Sequence, residues 1–253
     1  MQSKIKQVKV SIITVVKNAE RTIEKTIKSV ISQDYKNIEY IVLDGMSNDS
    51  TPQKIKKYKK KISKVITLKD KGVYDALNIA SMKSKGKIIG ILHGDDIFYN
   101  KTIVRKNVEF IKNNNLDFTF SDLIYVDKKN KIFRKVSSKN YKPSLLKYGI
   151  HPPHPTLFIK KKIFDKYGGY SIKYRICSDF DYFAKLFSKK LKWKANNLLS
   201  VVHRRGGKSD TSFLEKFLMT SQLIEIQKKR GIYSNRLFFI IKLFQRLTQQ
   251  LIK

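Results

Sequence analysis

"VSIITVVKNAERTIEKTIKSVISQDYKNIEYIVLDGMSNDST", residues 10–51, changes rhythm twice. Val10 to Val16 is a dense run of β-branched residues, the pattern of a strand buried on both faces. Ile23, Ile27, Val30 and Ile31 then fall at helical spacing, with Asn18 available to cap the start. "EYIVL" returns to the strand pattern and ends in Asp44, inside a turn rich in Asp, Ser, Asn and Gly. Strand, helix and strand in this order predict a parallel pair joined by a helical crossover.

Working outward, "KVITL" and "KIIGIL" repeat the strand pattern, and residues 101–111 repeat the helical one. The expectation is an α/β fold with a mostly parallel sheet. After Leu116 the texture changes. "DFTFSDLIYVDKKNKIFRKV" predicts a strand and a hairpin, followed by the Pro-rich loop "HPPHP", the helix "SDFDYFAKLFSKK" and the strand "LLSVVH". Residues 211–230 predict a helix that ends in Lys228, Lys229 and Arg230 before Gly231. In the last segment Leu237, Ile240, Ile241, Phe244, Leu247 and Leu251 share one face, with Lys242 and Arg246 opposite. That pattern suits an amphipathic helix lying in a membrane interface, or one packed on the domain or a partner subunit.

The chain has 253 residues, 41% hydrophobic content and a formal charge of +34, from 54 basic and 20 acidic residues. A full core is affordable within that length, and disorder is excluded. The charge suits anionic partners such as nucleic acid, phosphorylated small molecules or acidic lipids, without choosing among them. A lone cysteine, Cys177, excludes an intrachain disulfide framework and fits a reducing, cytoplasmic compartment. "MQSKIKQVKVSIITVV" has no cleavage-site pattern and reads as the approach to a first strand. No stretch reaches the roughly 20 apolar residues of a membrane span.

Ligands of open parallel sheets bind beyond the carboxyl ends of the strands. Here those ends carry Asp44, then "KDKGVYDALN", then "HGDD" with Asp95 and Asp96. Carboxylates gathered at one rim of so basic a chain call for a hard divalent cation, Mg²⁺ or Mn²⁺, shared with substrate phosphates.

The ordered set "DGMSNDST", "DKGVYDALNIASMKSKGKIIGILHGDDIF" and "GGYSIKYRICSDFDYFAKL" resembles the inverting family 2 glycosyltransferases with the Rossmann-like GT-A fold, over about residues 8–210. The resemblance implies a nucleotide-sugar donor and a glycan or lipid-linked acceptor. It implies a nucleotide-sugar-binding half at 1–110, an acceptor-binding and catalytic half at 111–210, and helices at 211–253. Asp44 would contact the nucleotide base with Thr14 nearby, Asp95 would bind the metal supported by Asp96, and Asp179 would be the general base. His93 stands where many members carry the first aspartate of a D-x-D motif. Lys71, Arg204 and Arg205 are candidates to neutralise the diphosphate, and Gly206 and Gly207 would let that basic loop move. His203 is a third metal ligand or a phosphate contact, His151 and His154 belong to the acceptor side, and Asp181 competes with Asp179. Trp193 is expected in packing. The lysine- and isoleucine-rich composition resembles bacterial chains, so the pathway expected is surface-polysaccharide synthesis, at the inner face of an anionic membrane.

Two other readings stay open. A basic nucleic-acid-binding protein would use the charge, but it would want lysine where the aspartates cluster, so no nucleic-acid partner is expected. A nucleotidyltransferase could use the same acidic site, but "VVKNAERT" lacks the glycine-rich loop such enzymes carry after the first strand.

Overall fold

The computed structural model describes residues 7–127, 129–204, 213–233 and 235. β1 (Val10–Val16) leads through α1 (Ile23–Ile31) into β2 (Ile38–Asp44), and the strands pair in parallel from Val10 with Ile38 to Val16 with Asp44. α2 (Thr51–Lys57), β3 (Lys64–Thr67), α3 (Val73–Met82) and β4 (Ile88–Ile91) complete a parallel block in the order β3-β2-β1-β4. Every residue of β1 is buried. Ile12 and Val16 join Ile23, Ile27 and Val30 of α1 on one face, while Ile13 and Val15 meet Ala76, Leu77 and Ala80 of α3 on the other. Each such aliphatic side chain contributes about 1.5–3 kcal/mol on burial, which fixes the period-two register.

Asn18 does not cap α1, which begins after Thr22. Its backbone sits at φ 52°, a left-handed conformation that Asn tolerates. There its Oδ1 accepts from Asn48 N at 3.0 Å and its own N–H donates to Ser47 Oγ at 2.8 Å. The residue therefore braces the turn after β2.

The second half adds β5 (Asp96–Phe98), α4 (Ile103–Asn113), the antiparallel hairpin β6 (Phe118–Val126) and β7 (Ile132–Val136), β8 (Phe158–Lys160) and α5 (Lys161–Tyr167). α6 (Ser178–Phe187), β9 (Trp193–Arg204) and α7 (Phe213–Lys229) follow. The three-residue β8 runs antiparallel between β4 and β6 and joins both halves into one sheet, ordered β3-β2-β1-β4-β8-β6-β9-β5 with β7 against β6. Trp193 stacks on Phe118 and Phe120, with centroids at 6.3 and 5.7 Å, in the packing role expected.

α7 docks by polar as well as apolar contacts. Leu223 and Ile226 pack with Tyr174, Cys177 and Phe180. Gln222 Oε1 accepts from the backbone N–H groups of Ile176 and Cys177, both at 3.1 Å, and Gln227 Nε2 donates to the carbonyl of Leu146 at 2.8 Å. Among the described residues no helix is long and apolar enough to cross a membrane. Arg205, Gly206, Gly207 and the amphipathic segment at 236–253 lie outside the described residues.

Candidate active site

The chain leaves β4 into Leu92, His93, Gly94 and Asp95 and enters β5 at Asp96. Gly94 lies against the end of β1, donating to Val15 O at 3.1 Å. A Cβ there would sit 2.7 Å from Val16 Cγ2, so only glycine permits the approach. Two hydroxyls on one face of α1 hold the turn. Thr22 Oγ1 reaches Gly94 O at 2.9 Å, and Thr26 Oγ1 is shared between Gly94 O at 3.0 Å and Asp96 O at 2.7 Å.

Antiparallel pairing of β5 with β9 sets Asp96 directly opposite His203, and His203 Nδ1 lies 2.7 Å from Asp96 Oδ1. Asp95, Asp96 and His203 each offer one ligand atom, all within 4.8 Å of one another. Burial raises the Asp95 carboxyl above its ordinary range, and the neighbouring Asp96 charge raises it further. Burial presses His203 toward neutrality, but the charge and hydrogen bond of Asp96 prevail and lift it to about 9. Asp96 is fully buried, and its Oδ2 has no hydrogen-bond partner among the described residues. A buried carboxylate oxygen without a donor is costly unless a cation meets it. The oxygen–oxygen–imidazole donor set fits a divalent metal ion.

Asp179 is the second residue of α6, and its Oδ1 accepts from Phe180 N at 2.8 Å. Its Oδ2 lies 3.7 Å from His151 Nε2, while the His151 ring stacks on Phe183 with centroids at 5.8 Å. Burial favours the protonated acid, but the neighbouring His151 and His154 and the Phe180 N–H outweigh it and hold the carboxyl below its usual range. Asp179 is therefore ionised at neutral pH, as a base must be. Asp181, the competing candidate, is buried on the far side of the helix turn and bound by Arg230 Nε and Nη2, both at 2.8 Å.

A cavity of about 820 Å³ reaches His93, His203 and Asp179 together. Tyr74, Tyr125, Arg134, the loop from His151 to Pro155, and Met219 and Leu223 of α7 complete its walls. His151 and His154 thus share one wall with Asp179. Thr14, Asp44 and Lys71 lie elsewhere. Thr14 is fully buried in β1 and accepts from Tyr40 Oη at 3.2 Å. Asp44 ends β2, where Oδ1 accepts from Ser47 N at 3.1 Å and Oδ2 has no hydrogen-bond partner among the described residues. Lys71 is exposed on the turn before α3 and donates its backbone N–H to Asp75 at 2.9 Å. Arg204 ends β9 with a buried Nε that lacks a hydrogen-bond partner among the described residues; burial lowers its pKa, and Asp96 opposes that.

The model of glycosyl transferase family 2 matches residues 11–189. The chain belongs to this family. Over 224 residues, 86% of each chain, this family 2 member is 31% identical to the Escherichia coli UDP-Glc:alpha-D-GlcNAc-diphosphoundecaprenol beta-1,3-glucosyltransferase WfaP. It is 25% identical to a PGL/p-HBAD biosynthesis glycosyltransferase of Mycobacterium bovis, across 84% of this chain and 85% of that one. Among solved structures, S. aureus TarS 1-349 in complex with UDP-GlcNAc superposes with a TM-score of 0.70 at 17% identity, over 88% of this chain and 66% of that one. The mannosyltransferase PcManGT from Pyrobaculum calidifontis, in complex with GDP-Man and Mn²⁺, gives 0.67 at 14% identity, over 90% and 66%. These likenesses establish the GT-A fold. The protein is a glycosyltransferase with an acidic cluster compatible with a divalent metal.

Sequence reasoning did not single out Thr22, Thr26, Tyr74, Tyr125, Arg134, Tyr170 or Gln222. The two threonines carried a faint signal, since hydroxyls four apart at the start of a helix share one face and need a polar destination.

Proposed function

We propose that this family 2 glycosyltransferase moves a sugar, with inversion, from a nucleoside-diphosphate donor to a hydroxyl of a lipid-linked glycan, with Mn²⁺ or Mg²⁺ held by Asp95, Asp96 and His203. The observation that carries the reading is that one cavity reaches both His203, of the acidic cluster, and Asp179. The similarity to WfaP, whose name states UDP-Glc and a diphosphoundecaprenol-linked acceptor, supports the substrate classes.

When bound, the cation supplies charge neutralisation to the donor's diphosphate. The remaining work falls to the chain. Asp44, with its free Oδ2, accepts from the nucleotide base, and Thr14 backs that end of the sheet. Lys71, Arg204 and Arg205 balance the departing diphosphate. Asp179 takes the proton of the acceptor hydroxyl as that oxygen bonds to the anomeric carbon and the bond to diphosphate breaks on the opposite face. His151 keeps Asp179 ionised. The +34 charge draws the protein to an anionic inner leaflet, where each nearby basic residue adds about 1 kcal/mol.

The test is glucosyl transfer from UDP-Glc to a GlcNAc-diphospholipid with Mn²⁺ present. Loss of a general base typically costs 10²–10⁴ in rate, so Asp179→Asn should lower kcat by about that factor while leaving UDP affinity unchanged. A fully active Asp179→Asn enzyme would overturn the assignment, and a protein stabilised by no nucleotide would overturn the activity.

A further inference from the structure

The cavity has a second wall, built where the turn at 143–148 and the loop before α6 meet α7. Leu145, Ile150, Ile176 and Met219 are each half-buried and line it, so four apolar side chains face open space. Both carrier segments are pinned to α7. Gln227 Nε2 donates to the carbonyl of Leu146 at 2.8 Å, and Gln222 Oε1 accepts from the N–H groups of Ile176 and Cys177. Beside this wall stands Arg175, exposed and lining the same cavity, with no ion pair or hydrogen bond among the described residues. Its backbone is nevertheless held on both sides. Tyr174 is 1% exposed, and the Ile176 carbonyl accepts from the Tyr74 hydroxyl at 2.8 Å. The guanidinium therefore hangs from a rigid support, four residues before Asp179. The other arginine lining the cavity, Arg134, belongs with the acidic cluster: it lies 4.9 Å over the Tyr125 ring, which meets His203 edge-on at 4.9 Å. The carboxylates lining the cavity are Asp179 and Glu215.

We propose that Arg175 binds a phosphate of the lipid-linked acceptor and that Leu145, Ile150, Ile176 and Met219 cover the first carbons of its hydrocarbon chain, with Gln222 and Tyr74 as positioning residues. The ligand follows from chemistry. The planar fork of an arginine matches the oxygens of a phosphate. Apolar side chains that face a cavity gain by covering hydrocarbon, and a nucleotide sugar has none to offer. A phosphate joined to an alkyl chain satisfies both features at once. In such an acceptor the phosphate is one sugar away from the hydroxyl that Asp179 deprotonates, and Arg175 precedes Asp179 by a single short loop. Met219 belongs to α7, beyond residues 11–189 that the family model matches, so this wall is an addition to the shared transfer machinery. The inference deepens the proposed function and rests on reading the cavity as the place of transfer to a lipid-linked glycan.

Synthetic acceptors separate the contributions: GlcNAc joined through diphosphate to a decyl chain, GlcNAc joined through diphosphate to a methyl group, and a decyl GlcNAc glycoside without phosphate. In glucosyl transfer from UDP-Glc by the full-length protein with Mn²⁺, Arg175→Gln should raise the KM of both diphosphate acceptors by about 10- to 100-fold, the loss of one bond to a charged group. The KM of UDP-Glc and of the decyl glycoside should not move. Arg175→Lys, which keeps the charge but not the fork, should recover part of the loss. Met219→Gln should raise the KM of both decyl compounds and spare the methyl one. Binding of decyl diphosphate to the protein saturated with Mg²⁺ and UDP gives a readout independent of the donor sugar, and Arg175→Gln should weaken it by the same factor. An Arg175→Gln enzyme with unchanged KM for the diphosphate acceptors, an equal rise for the decyl glycoside, or a rise for UDP-Glc instead overturns the inference and leaves the proposed function standing. A parent that binds no decyl diphosphate does the same. If decyl diphosphate binds through Arg175 but no nucleotide sugar is turned over, the proposed function falls and the phosphate site stands.

Discussion

Replacing Arg230 with methionine removes the cation that neutralises Asp181 and keeps most of the aliphatic bulk. Asp181 is 3% exposed, and Arg230 holds its Oδ1 through two nitrogens at 2.8 Å. Stripping the partner from a buried ion pair costs about 3–5 kcal/mol. The Arg230 side chain is 21% exposed, so water can reach the vacated space and the lower end applies, about 3 kcal/mol. For a domain of this size that is a fall of about 6–12 °C in Tm. Urea unfolding of the parent, Arg230→Met, Asp181→Asn and the double variant measures it as a cycle. The double variant should recover at least half of the loss, because the uncompensated charge is gone. A loss under about 1 kcal/mol, or strictly additive single effects, would mean that water solvates Asp181 and that the pair does not clamp α7 onto α6.

His151→Gln removes the group that, after burial, contributes most to the ionisation state of Asp179, so the Asp179 pKa should rise. The acidic limb of kcat/KM against pH should then move to higher pH; an unmoved limb would show that His151 does not tune the base. The same sign governs stability. A depressed carboxyl stabilises the fold above its unfolded pKa and loses that contribution as pH falls through the folded one, so the variant should lose its share at a higher pH in acid unfolding. Gly94→Ala places a methyl 2.7 Å from Val16 Cγ2 and should destabilise by about 1–3 kcal/mol, weakening Mn²⁺ binding in a titration by displacing Asp95 and Asp96 together.

The apolar runs at 10–16, 39–43 and 87–92 announced the parallel block because strands buried on both faces admit almost no polar residue, whereas 64–68 forms the half-exposed edge strand β3. The acidic turn was equally legible, since carboxylates after buried strands stand out in a basic chain. What the sequence concealed depends on contacts between distant segments. β8 is three residues long and carries no period of its own. Asn18 looked like a cap because side-chain chemistry does not disclose the sign of φ. His154 was expected on the acceptor side and Tyr170 was not singled out, and only folding brings them within 2.8 Å. Arg205 and the tail at 236–253 fall outside the described residues.

The placement of β8 also bears on the order in which the enzyme assembles. β1 to β4 pair through neighbouring crossovers, whereas Phe158 must find Gly90, and Lys160 must find Ile88, before the sheet can continue to β6. Contacts so far apart along the chain close late, after the loop entropy between them has been overcome. The block of β1 to β4 can therefore form while the peptide is still short, with β4 as a temporary open edge. A chain stalled before α6 would present Asp95 and Asp96 without either His203 or Asp179, so the acidic cluster and the candidate base are completed together, late in the chain.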